Sequence, residues 1–160
     1  MTTRILFVCL GNICRSPSAE AVTAARIGAR DIVLDSAGIA DWHRGKPPYA
    51  PMQDAARARA LDMSGLRARQ VSRDDFDRFD LIIAMDRQNQ QHLEDMRPEG
   101  ASVPVWLMTQ FAPQLSDPDI PDPYYTRDFD GALDLIELAA EGLLRAFDGG
   151  SLPAPIAALE

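Results

Sequence analysis

Four short apolar runs recur along this chain with room for a helix between successive runs: Ile5 to Val8, Ile32 to Ala37, Phe79 to Met85 and Val103 to Leu107. Continuous apolar runs of that length read as strands buried on both faces. Pro17 suits a first helical position with Ser16 as its cap, and a helix to about Gly28 would bury Ala21, Val22 and Ala25. A second helix is expected from Pro51 to Met63. A short one begins at Ser72-Arg73-Asp74-Asp75. Another is capped by Asp86 and ends before Pro98. The clearest helical stripe is Phe129, Ala132, Leu133, Ile136, Ala140, Leu143, Leu144 and Phe147, stopped by Gly149-Gly150. Asp41 to Met52 and Leu115 to Tyr125 are proline-rich and read as loops. Strands alternating with helices specify an α/β domain: a four-stranded parallel sheet with helices on both faces and right-handed crossovers.

With 160 residues and 46% apolar content, the chain suits one globular domain, expected over 1–150, with a C-terminal tail at 151–160. A net charge of −8 with scattered basic residues disfavours nucleic acid as a partner. No run approaches the apolar length of a membrane helix, so no membrane partner is expected. The first apolar run is too short for a signal peptide, which predicts a cytoplasmic protein. Two cysteines, Cys9 and Cys14, cannot staple a chain this size, and neither His43 nor His92 lies at zinc-ligand spacing to them. No cofactor or metal is implied.

The chemistry concentrates in CLGNICRSP, Cys9 to Pro17, between the first strand and the first helix. In an open α/β sheet, ligands bind beyond the carboxyl ends of strands, where Cys9 falls. A loop opening a helix presents backbone N–H groups and the positive end of the helix dipole, which suits an anion. Gly11 and Asn12 tolerate the backbone angles of a tight cradle. Arg15 adds a planar fork matched to phosphate oxygens. A cysteine in that positive ring is expected to be a thiolate and hence a nucleophile; a lone cysteine at a strand end would otherwise be a small apolar filler. The chain holds neither GxxxxGK[ST] nor GxGxxG, so the common nucleotide loops are excluded.

VCLGNICRSP resembles the phosphate-binding signature of the low-molecular-weight protein tyrosine phosphatases. DSAGIADWHRGKPP, ARQV, FDLIIAMDRQN and DPDIPDPYY follow in that family's order, so the likeness runs from about residue 4 to 147. It implies that Cys9 is the nucleophile, that Arg15 grips the phosphoryl oxygens, and that residues Leu10, Gly11, Asn12, Ile13, Cys14 and Arg15 line the phosphate. Asp122 would be the general acid, then the base that activates water on a phosphocysteine. From the residues alone, Asp117 and Asp119 are equal contenders for that acid. Asn12, Ser16 and Ser36 resemble the polar net supporting the loop, with Ser16 able to hydrogen-bond the Cys9 sulfur. Trp42, Tyr124 and Tyr125 resemble the crevice walls, and His43 sits beside them. The Cys9–Cys14 pair can form a disulfide under oxidant in the family.

Two positions depart from the pattern. Leu66 stands where several relatives carry a histidine, which predicts a shorter net. Tyr49-Ala50-Pro51 replaces Asp-Pro-Arg at the rim. Asp86 and Asn89 match a family motif, but their first reading is a helix cap. The implied activity is hydrolysis of phosphotyrosine in proteins or of small aryl phosphates, by a monomer or weak homodimer. An arsenate reductase-like protein and a non-catalytic phosphate-binding module are the alternatives. The first usually needs further cysteines, and none follows Cys14.

Overall fold

The computed structural model describes residues 1–153. The part of the expected tail at 154–160 lies outside the described residues. Strands β1 (Thr3–Cys9), β2 (Ile32–Gly38), β3 (Leu81–Ala84) and β4 (Val105–Leu107) form one parallel sheet in the order β2-β1-β3-β4. Around them lie α1 (Arg15–Arg26), α2 (Ala50–Arg57), α3 (Asp75–Arg78), α4 (Arg87–Met96), a 3-10 turn at Met108–Phe111, α5 (Pro123–Thr126) and α6 (Phe129–Asp148).

Alternation along β1 builds two cores. Ile5, Phe7 and Cys9 point to one face, where they meet Val22 of α1 and Leu133, Ile136 and Ala140 of α6. Leu6 and Val8 point to the other, against Phe76 of α3 and Leu93 of α4. Helices therefore cover both faces, as the apolar runs imply. The strand order reverses between β1 and β3, so the chain leaves those two carboxyl ends in opposite directions and opens a crevice between them. Cys9 ends β1, and Met85-Asp86 follows β3.

Several expectations are corrected. Ala25 is exposed and Ala21 only half-buried, because the inward stripe of α1 runs instead through Ala19, Val22 and Thr23. Helix α2 stops at Arg57, well short of Met63. Ala60 turns to φ 61°, and the Leu61 N–H donates to the Ala56 carbonyl at 3.0 Å. This is the reversal that glycine usually makes at a helix C-terminus, here built on alanine. Phe79 ends α3 and does not open β3, and Val103 precedes β4. The loop at 115–125 contains the start of α5, a one-turn helix that proline and tyrosine did not advertise.

Candidate active site

The loop after β1 curls because Asn12 adopts φ 58°. It lies directly on the end of β2: a Cβ at Gly38 would sit 3.0 Å from the Leu10 carbonyl oxygen, so any side chain there would press on the loop. The Asn12 N–H points at the Cys9 sulfur at 3.3 Å. Among the described residues, the N–H groups of Gly11, Ile13, Cys14 and Arg15 meet no protein acceptor. Unpaired donors around one sulfur make an anion cradle.

Helix α1 begins at Arg15, two residues before Pro17, so Ser16 is inside the helix and does not cap it. Its hydroxyl lies 3.0 Å from Cys9 Sγ and 3.4 Å from the Ala37 carbonyl oxygen. Asn12 Nδ2 donates to Ser16 Oγ at 2.8 Å and to Ser36 Oγ at 3.0 Å. The net is longer than Leu66 led us to expect. Ser36 Oγ donates to Glu20 Oε1 at 2.7 Å, and the Arg69 N–H donates to Asn12 Oδ1 at 3.0 Å. Arg69 is itself held by the fully buried Asp75 through two bonds of 3.0 and 3.1 Å. Leu66 packs against the main core and takes no part. Burial pushes the Glu20 carboxyl pKa upward, aided by the neighbouring Asp35 charge and opposed by its bond from Ser36. Glu20 escaped the sequence reading, although it lies four residues beyond Ser16 on one helix face.

Arg15 is 2% exposed and reaches across the crevice. Nη1 donates to Asp86 Oδ2 at 2.6 Å and to the Ile120 carbonyl at 2.8 Å, and Nη2 lies 3.4 Å from Asp122 Oδ2. Nε is buried without a partner. Burial works against the guanidinium charge, but Cys9, Asp122 and Asp86 outweigh it and hold Arg15 protonated above its usual range. Asp86 thus does two jobs. Its other oxygen accepts the Asn89 N–H at 2.7 Å and caps α4, which is the part its sequence position revealed.

Of the three aspartates in the 115–125 loop, only Asp122 lines the crevice. Asp119 is bound by Arg87 through its backbone and side chain, which draws its pKa below the usual carboxylate range. Asp117 is exposed and accepts the Asp119 N–H.

The crevice is about 250 Å³, with Cys9 and Cys14 at its floor beside Leu10, Gly11 and Ile13. Trp42, His43, Tyr124 and Tyr125 form the walls. Trp42 and Tyr125 stand out at the rim, 64% and 68% exposed. His43 lies so close over Gly11 that a Cβ there would come within 3.0 Å of its ring. His92 is on the outer surface of α4. Cys9 and Cys14 are both free thiols; burial, then the nearby Cys9, pushes the Cys14 pKa strongly upward.

Residues 4–150 match the family described as low molecular weight phosphotyrosine protein phosphatase. The chain is 43% identical over 144 residues to the low molecular weight protein-tyrosine-phosphatase YfkJ of Bacillus subtilis, covering 88% of this chain and 92% of that protein. It is 34% identical over 143 residues to PtpA of Staphylococcus epidermidis, covering 88% and 90%. The crystal structure of YfkJ superimposes with a TM-score of 0.89 at 38% identity, over 95% of this chain and 98% of that one. That of a protein tyrosine phosphatase from Entamoeba histolytica gives 0.88 at 35%, over 94% and 100%. A match over nearly the whole chain, on the same parallel sheet, means that this chain belongs to the low molecular weight phosphotyrosine protein phosphatase family, a family of phosphoric monoester hydrolases.

Proposed function

We propose that this protein hydrolyses phosphotyrosine in proteins, and small aryl phosphates, through a phosphocysteine. The observation that carries the reading is the convergence on one crevice of the Cys9 sulfur, the Arg15 guanidinium and the Asp122 carboxyl. The Cys9 thiolate attacks phosphorus and the P–O bond to the phenol breaks. Asp122 delivers a proton to the departing oxygen, so that a neutral phenol leaves. Arg15, through Nε and Nη2, and the free N–H groups of the loop stabilise the charge on the equatorial oxygens. In the second step Asp122, now a carboxylate, takes a proton from water as it attacks the phosphocysteine, and Cys9 leaves as a thiolate. Ser16, 3.0 Å from that sulfur, donates a hydrogen bond to it.

Asn12 and Ser36 hold the loop in shape, and Trp42, Tyr124 and Tyr125 provide flat walls for a phenyl ring. The Asp122 loop and the absence of cysteines beyond Cys14 weigh against the arsenate reductase alternative. Cys14 would protect the nucleophile: peroxide oxidises Cys9 to a sulfenic acid, and condensation with the Cys14 thiol forms a disulfide and releases water. We further propose a cytoplasmic protein, monomeric or weakly dimeric, acting without nucleic acid or membrane. No helix among the described residues is long and apolar enough to cross a bilayer.

The test is hydrolysis of phenyl phosphate by the parent and by Cys9→Ser. Complete loss in the variant, with a phosphorylated cysteine trapped from the parent by acid quench, is expected. Turnover by Cys9→Ser would refute the mechanism.

A further inference from the structure

We propose that Tyr49 and Arg127 form a positioning pair that sets the Asp122 carboxyl against the phosphate loop. The inference rests on the proposed role of Asp122 as proton donor.

Asp122 begins α5, a helix of one turn. A single turn has no stability of its own, so something outside must fix it. The turn closes at Arg127, whose N–H donates to the Pro123 carbonyl at 2.9 Å and whose φ is 65°. That region is costly for any residue with a side chain, and in the site it recurs only at Asn12, where the loop needs it. At Arg127 the conformation serves the guanidinium. It lies over the ring of Tyr49, 5.3 Å from its centroid, and over Phe129 at 5.1 Å. Nη1 donates to Tyr49 Oη at 3.1 Å and to the Tyr124 carbonyl at 3.3 Å. The Tyr49 ring also packs on Tyr124, centroids 5.1 Å apart.

Tyr49 is fastened to the phosphate loop itself, its N–H donating to the Ile13 carbonyl at 2.9 Å. A continuous path therefore runs from the cradle through Tyr49 and Arg127 to the helix that starts at Asp122. Within that helix the Tyr124 N–H binds Asp122 Oδ1 at 3.1 Å and leaves Oδ2 directed at Arg15. Tyr49 opens the Tyr49-Ala50-Pro51 stretch that stands in place of Asp-Pro-Arg at the rim, and Arg127 occupies a backbone conformation that glycine would fill without strain.

The experiment compares kcat/KM for two esters in Arg127→Gly and Tyr49→Phe. Phenyl phosphate needs its leaving oxygen protonated; a dinitrophenyl phosphate does not. Arg127→Gly is expected to lose about tenfold on phenyl phosphate, a fraction of the ~10²–10⁴ a general acid supplies, and little on the dinitrophenyl ester. Tyr49→Phe keeps the ring and loses the acceptor, so the same selective loss should be smaller. Inhibition by inorganic phosphate should be unchanged, because the cradle is intact. Glycine also relieves the left-handed strain, so Arg127→Gly should melt no lower than the parent, which separates positioning from support of the fold. Equal losses on both esters, or none on either, overturn the pair while leaving a parent whose activity requires Cys9. A parent that hydrolyses neither ester overturns this inference and the function on which it rests.

Discussion

Arg15 Nη1 and Asp86 Oδ2 meet at 2.6 Å at the reversal in strand order, joining the end of β3 to the start of α1. The pair fixes the guanidinium and leaves its buried Nε without a protein partner, the donor proposed above for the substrate phosphate. Asp86→Asn keeps the cap on α4 but strips a buried cation of the closer of its two charge partners. It should lose about 3 kcal/mol of stability. Inhibition by inorganic phosphate should weaken in parallel, read by melting and by competition. Unchanged phosphate inhibition would detach Asp86 from the site.

Asp122 and Asp119 lie on one loop but in different settings. Asp122→Asn should slow phenyl phosphate by about 10² or more and spare esters with good leaving groups. Asp119 is tied to Arg87 on the outside, and Asp119→Asn should stay within about fivefold of the parent on every ester. A leaving-group series on both variants decides between them; selectivity in Asp119→Asn would reassign the acid.

Ser16 faces the sulfur at 3.0 Å, and the proposed mechanism gives it its part in the second step, when the thiolate leaves. Ser16→Ala should release a rapid first equivalent of phenol and then turn over slowly, with phosphocysteine accumulating. Stopped-flow traces without that burst would place the loss in the first step.

Glu20 gives a pH signature with a definite sign. Its folded-state pKa is raised, mainly by burial, above the ordinary 4.5. Its contribution to stability is therefore fully present at pH below that value and is lost as pH rises through the folded pKa. Glutamine keeps the acceptor for Ser36 without the charge. Glu20→Gln should melt higher than the parent at neutral pH, and the advantage should vanish in acid. A constant difference across pH would mean that the charge of Glu20 does not matter.

Ala60 reverses the chain after α2 with a positive φ that glycine would adopt without strain. Ala60→Gly should stabilise the fold by about 1 kcal/mol, measured by denaturant melts, without altering turnover.

The fold was legible wherever a pattern has a fixed period. The apolar runs located all four strands, because burial on both faces writes an unbroken run, and the stripe of α6 located its helix, because burial of one helix face writes itself at period 3.6. Ends were less legible. Ala60 is a good helix former that turns left-handed, and Phe79 is an apolar residue that closes a helix; neither carries a local signal for what tertiary contacts impose. At the site, Cys9, Arg15 and their loop share one short stretch, so their chemistry could be read together. Asp122 could be separated from Asp119 only by the family likeness, because the difference between them is made by Arg87, far back in the chain. Glu20, Arg127 and the second role of Asp86 were hidden for the same reason: their partners are distant in sequence.

Ile120 has a consequence for how this protein can vary. Its N–H donates to the Met85 carbonyl at 3.0 Å, its own carbonyl accepts from Arg15, and its side chain is fully buried. The excursion through α4, β4 and the 3-10 turn is therefore tied shut at its base, with Asp122 just outside the knot. Insertions or deletions in the turn around Pro98 to Gly100 would change the size of that excursion without moving the proton donor. A change of length there leaves the ties of Ile120 to Met85 and Arg15, and its spacing to Asp122, untouched.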